Sequence, residues 1–123
     1  MPAQNSVGEN PIRIITQKMT RVDLKSVAAE RFGDLVKAVV DVERKIMAIG
    51  GDLHADEEAV MLENGSRQAD LWGINLYPDQ IGEGLVEFDS MVNIRPNQGN
   101  RSRGVEDEGV RKIIFEIVNL LIE

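Results

Sequence analysis

The run Leu35-Val-Lys-Ala-Val-Val-Asp-Val42, followed by Glu43-Arg-Lys45 and Ile46-Met-Ala-Ile49, decides the fold. Val36, Ala38, Val40 and Val42 alternate with Lys37, Val39 and Asp41, the two-residue period of a strand with one dry and one wetter face. A helix fits this pattern less well. The charged bend and the second apolar run predict a hairpin, although the turn between them holds no glycine.

Downstream, Gly50-Gly51 breaks the strand, and a helix is expected to begin at Asp52 or His54. Asp56, Glu57 and Glu58 suit its positive N-terminus, and Asn64-Gly65 is its stop signal. Leu71 to Tyr77 sets Trp72, Ile74 and Leu76 against Gly73, Asn75 and Tyr77, which reads as a third alternating strand. Leu85 to Arg95 alternates again, with Val86, Phe88, Ser90, Val92 and Ile94 opposed to Glu87, Asp89, Asn93 and Arg95. Beyond the loop Pro96 to Gly104, a helix from about Asp107 carries Val110, Ile113, Ile114, Ile117, Val118 and Leu121 at helical spacing.

Upstream, Pro11 to Thr16 predicts a short strand. Thr20 caps a helix through Arg31, with Leu24, Val27, Ala28 and Phe32 on one stripe and Gly33 as terminator. Residues 1–11 have no periodicity and are expected to form a flexible tail. The order strand-helix-strand-strand-helix-strand-strand-helix over residues 12–123 predicts a single α+β domain, with a largely antiparallel sheet of about five strands and three helices. If all three helices pack on the apolar face, the opposite face displays Lys37, Asp41, Asn75, Tyr77, Glu87, Asp89, Asn93 and Arg95.

Composition narrows the function classes. The 123 residues are 42% hydrophobic and 28% charged, enough for one compact domain with a core. With no cysteine there is no disulfide framework, thiolate metal site or cysteine nucleophile, which suits a reducing compartment. No apolar run approaches the roughly 18 residues that span a bilayer, and Met1 to Asn10 lacks the apolar stretch of a signal peptide, so no membrane association and a cytoplasmic location are expected. A formal charge of -7 repels phosphate backbones, and aromatic residues at 4% leave Trp72 to the core, so nucleic acid is not an expected partner.

Three residue sets carry candidate chemistry. On the polar sheet face, Glu87 and Asp89 stand two apart and are placed to serve as acid and base or to hold a divalent ion. The competing reading is a solvated face of cross-strand ion pairs, each worth under about 1 kcal/mol. The loop Asn93 to Arg103 offers Arg95, Asn97, Asn100, Arg101 and Arg103 as ligands for a small anion, since guanidinium forks hold carboxylate or phosphate bidentately. Glu106, Asp107 and Glu108 follow directly and compete for the same positive loop. His54, the only histidine, is flanked by carboxylates and shares a helix face with Glu57, as a base or as a hydrogen-bonding group at a helix start. One histidine without cysteines falls short of the usual zinc ligand set, so no metal and no cofactor are assigned. Phe115, Leu120 and Ile122 lie outside the core stripe of the last helix, and this surplus apolar surface points to a homodimer.

The strings Val39-Val-Asp-Val-Glu43, Met47-Ala-Ile-Gly-Gly-Asp-Leu-His-Ala-Asp56, Leu71-Trp-Gly-Ile-Asn-Leu-Tyr-Pro78 and Asn93-Ile-Arg-Pro-Asn-Gln-Gly-Asn-Arg-Ser102 resemble a small bacterial family catalogued only as a domain of unknown function. The resemblance runs from Ile12 to Ile122. It implies one bacterial domain and brings no activity, cofactor or catalytic residue to these positions. Three functional readings follow from the residues themselves. The first is a binding or interaction module recognising an anionic small molecule or a partner protein. The second is a small enzyme acting on a phosphorylated or carboxylated compound through Glu87, Asp89 or His54, which requires those groups to converge with an arginine. A purely structural homo-oligomer is the third.

Overall fold

The computed structural model describes residues 11–123. The tail expected over residues 1–11 therefore lies, up to residue 10, outside the described residues. Strands β1 (Arg13–Ile15), β2 (Val36–Asp41), β3 (Ile46–Ile49), β4 (Leu71–Leu76) and β5 (Val86–Glu87) form one sheet in the order β1-β3-β2-β4-β5. Every neighbouring pair is antiparallel. Helices α1 (Arg21–Glu30), α2 (His54–Glu63) and α3 (Glu108–Leu121) interleave with the strands in the predicted order, giving an α+β fold.

Local chemistry sets the boundaries. Thr20 Oγ1 accepts from the Asp23 amide at 3.0 Å and starts α1, and Asp107 Oδ1 accepts from Gly109 and Val110 at 2.7 and 3.1 Å and starts α3. The β2–β3 hairpin turns without glycine because Asp41 Oδ1 takes the Glu43 and Arg44 amides at 2.9 and 2.8 Å, while Lys45 adopts the left-handed region at φ 60°. Asp41 is fully buried, and its second oxygen accepts from Ser66 Oγ at 2.6 Å.

The alternating register reads through to the faces. Val36, Ala38, Val40, Met47, Ile49, Trp72, Ile74 and Leu76 share the face covered by α1 through Leu24 and Ala28, and by α3 through Ile114, Ile117, Val118 and Leu121. The expectation that all three helices pack there is corrected by α2, whose Met61 lies on the reverse face with Val39, Ile46, Ala48 and Leu71. Those four apolar residues make the hairpin end of the reverse face too dry to leave to water, and fully burying one large apolar side chain gains about 1.5–3 kcal/mol. The inward stripe of α2 is His54, Glu57 and Met61, and its polar first two members disguise it in the sequence.

A second correction concerns the strand expected over Leu85 to Arg95, where only Val86 and Glu87 pair with β4. Ser90 Oγ accepts from the Val92 amide at 3.2 Å and turns the chain into a short helical turn, Met91–Asn93. The chain then folds over β4. A Cβ on Gly73 would stand 2.6 Å from Ser90 Cβ and Oγ, so the absent side chain makes room for this crossing. Asn93 completes it, accepting from the Gly73 amide at 2.8 Å and donating to the Gly73 carbonyl at 2.9 Å, as a neighbouring strand's peptide would.

The open polar face expected from the sequence is thus partly covered by α2 and by the arm 88–103, with Glu87 still exposed and Lys37, Tyr77 and Asp89 half-buried. Asp41, Asn75, Asn93 and Arg95 are buried rather than displayed. Much of the apolar surplus of α3 is also absorbed within the chain: Phe115 packs edge-on against Phe88 at 5.4 Å, Ile122 is buried, and Leu120 remains exposed.

Candidate functional site

Where α2 and the arm fail to meet over the sheet, a cleft of about 260 Å³ remains. Lys37 reaches it from β2, His54 from the first residue of α2, Asn75 from β4, and Asp89 and Arg103 from the two ends of the arm. Leu53 and Met91, both largely exposed, supply apolar walls. Wider hollows lie elsewhere, one of about 420 Å³ beside Arg13, Asp23 and Glu30 and one of about 410 Å³ beside Asn100, Glu106 and Asp107. Carboxylates dominate both, whereas the smaller cleft combines two cations, a carboxylate and an imidazole.

His54 is 7% exposed, and its Nε2 lies 2.7 Å from the carbonyl oxygen of Ile74. A carbonyl only accepts, so Nε2 carries the proton and Nδ1 keeps a lone pair. Burial holds the imidazolium below its ordinary pKa, and Lys37 and Arg103 push the same way. The Ile74 carbonyl and Asp89 oppose them without reversing the direction.

Arg103 Nε donates to Asp89 Oδ1 at 2.6 Å in a pair that is about half exposed, a bond that uses neither of the outer guanidinium nitrogens of Arg103. Lys37 lies over the Phe32 ring at 5.3 Å. Asn75 donates from Nδ2 to Glu87 Oε1 at 2.9 Å, and the Tyr77 hydroxyl donates to the same oxygen at 2.9 Å. That bond to Glu87 raises the Tyr77 phenol, because ionising it would lose the donated hydrogen. Glu87 therefore stands behind Asn75 and does not line the cleft. Asn75 Oδ1 is buried without a partner.

Beneath α2, Glu57 is fully buried and accepts from the Gly51 amide through Oε2 at 2.9 Å, while Oε1 has no partner. Burial pushes its carboxyl up to about 9, so it is neutral at pH 7. Among the described residues, no three His, Asp or Glu side chains gather as a metal site.

The arginine loop does not act as one element. Arg95 is buried, with Nη2 on the Leu71 carbonyl at 2.5 Å, Nη1 on the Gln68 carbonyl and the guanidinium 4.2 Å from the Trp72 ring. Asn100 is also buried, donating to the Asn93 and Gly104 carbonyls at 2.8 Å each and accepting from the Glu106 amide at 2.9 Å. Glu106 accepts from the Arg101 and Ser102 amides at 2.8 and 2.9 Å, which keeps its carboxyl below the usual range. Asn97 is exposed in the turn Pro96–Gln98, and Arg101 is exposed as well. Of the five loop residues singled out as anion ligands, Arg103 reaches the cleft. There it meets His54 and Asp89 from the other two sets. Sequence patterning had no signal for Leu53 and Met91 as cleft walls, because their neighbours come from distant segments.

The chain belongs to a family described as protein of unknown function (DUF5674), whose model matches residues 13–121. No curated protein and no solved structure matches it. No helix among the described residues is long and apolar enough to cross a membrane.

Proposed function

We propose that the chain is a binding module for a small carboxylate- or phosphate-bearing molecule, held in the cleft by Lys37 and Arg103. The observation that carries this reading is convergence. Side chains from β2, α2, β4 and the arm meet in one concavity whose two cations outnumber its single lining carboxylate, against a chain charge of -7. An acidic protein that concentrates positive charge in a hollow favours an anion there over its bulk surface. The N-terminus of α2, which has no side-chain cap, adds a positive field at the same wall.

A second reading, an enzyme in which His54 or Asp89 moves a proton of the bound molecule, draws support from the neutral imidazole in the cleft. A homodimer now rests on the exposed Leu120 and its neighbour Ile113, since Phe115 and Ile122 pack within the chain. Calorimetry with inorganic phosphate and with 3-methylbutanoate tests the main reading. At least one anion is expected to bind, and Lys37→Gln or Arg103→Gln is expected to weaken it by about 1–3 kcal/mol. No binding of either anion, or affinity unchanged in both variants, overturns the reading.

A further inference from the structure

The cleft offers an acceptor as well as cations, and an ionised carboxylate, which has no hydrogen to donate, cannot satisfy it. His54 Nε2 is committed to the Ile74 carbonyl at 2.7 Å, so Nδ1 presents a lone pair. No described residue bonds to Nδ1, and His54 lines the cleft. The ring is more than nine-tenths buried and fixed at the start of α2, so this lone pair has a set direction rather than a mobile one. A carboxylate alone would bring only its own lone pairs toward Nδ1.

We propose that the ligand is a hydroxy acid, its anionic group held by Lys37 and Arg103 and its hydroxyl hydrogen donated to His54 Nδ1. The proposal rests on the anion-binding reading above. A hydroxyl fits better than the ammonium of an amino acid, because a third positive charge would sit beside Lys37 and Arg103 with Asp89 already paired. Leu53 and Met91 leave room for a short apolar body on the same molecule. A site built to receive a hydrogen bond rejects the analogue that lacks it, since the buried acceptor then loses its water and gains nothing.

The single histidine makes the test direct, because its two ring nitrogens give one assignable pair of ¹⁵N resonances in the wild-type chain. The probes are 3-methylbutanoate and 2-hydroxy-3-methylbutanoate, which share a carbon skeleton and differ by one hydroxyl. The free protein is expected to show its ring proton on Nε2. The hydroxy acid is expected to bind about tenfold tighter or better and to shift the Nδ1 resonance, while the plain acid leaves that resonance in place. Equal affinity for the two probes, an Nδ1 resonance unmoved by the hydroxy acid, or a proton found on Nδ1 overturns the hydroxyl proposal and leaves the anion reading standing. If neither acid nor inorganic phosphate binds, both readings fall together.

Discussion

The His54 ring donates from Nε2 to the Ile74 carbonyl oxygen at 2.7 Å, joining the first residue of α2 to the main chain of β4. This bond helps hold the helix on the reverse face of the sheet and leaves Nδ1 as the ring nitrogen with a lone pair. Burial depresses the imidazole below its ordinary value of 6.5. The folded state therefore prefers the neutral ring, and the associated stability is present above about pH 6.5 and is lost as pH falls through the lower folded value. His54→Phe is expected to cost about 1–2 kcal/mol at pH 8 in urea unfolding. It should also flatten the decline of stability on acidification, and a decline of unchanged steepness would count against this account.

Glu57 has the opposite sign. Its folded carboxyl titrates at about 9 against an ordinary 4.5, so the unfolded chain releases the proton first and stability falls as pH rises between those values. Glu57→Gln keeps an oxygen for the Gly51 amide and cannot ionise. The variant is expected to match wild type near pH 4 and to exceed it by roughly 1–3 kcal/mol at pH 8, as read from melting temperatures across that range.

The crossing of the arm over β4 depends on Gly73 and Asn93. Gly73→Ala places a methyl 2.6 Å from Ser90 Cβ and Oγ and 3.0 Å from Val92 Cγ2, so the arm must shift. Overpacking of this kind costs about 1–3 kcal/mol. Because Asp89, Ser90 and Met91 also line the cleft, anion affinity should fall together with stability. Asn93→Leu strands both Gly73 polar groups, removes one of the two hydrogen bonds to the Arg103 carbonyl, and should destabilise by a few kcal/mol. Calorimetry and urea titration of the two variants check this coupling, and intact binding in Gly73→Ala would separate the arm from the site.

What the sequence made legible was local. The alternation in β2 and β4, the cap by Thr20 and the start of α3 at Asp107 each depend on residues within a few positions, and each is present. The face chosen by α2 was hidden because two of its three buried residues, His54 and Glu57, are polar and add nothing to an apolar stripe. The strand expected to run to Arg95 stops after Glu87 because Ser90 and Asn93 find partners on Gly73 and in their own turn, contacts that alternation does not encode. His54, Asp89 and Arg103 were visible singly as chemistry-bearing residues. Their meeting was not, because it requires both the reverse-face helix and the folded-over arm.

The two arginines at the ends of one loop give the sharpest contrast. Arg95 is buried against Trp72 and bonded to the Leu71 and Gln68 carbonyls, so Arg95→Gln removes charge-assisted bonds worth about 1.5–3 kcal/mol and leaves the Gln68 carbonyl with only its bond from the Leu71 amide. Arg103 is about half exposed and paired with Asp89, an arrangement that contributes under about 1 kcal/mol to folding. Arg95→Gln is therefore expected to lower the melting temperature while leaving anion affinity in the surviving folded protein close to wild type. Arg103→Gln is expected to do the reverse, with an unfolding midpoint near wild type and binding reduced. Urea titration and calorimetry on both variants decide the matter. Loss of binding in Arg95→Gln with its fold intact would move the anion site from the cleft to the Trp72 side of the loop.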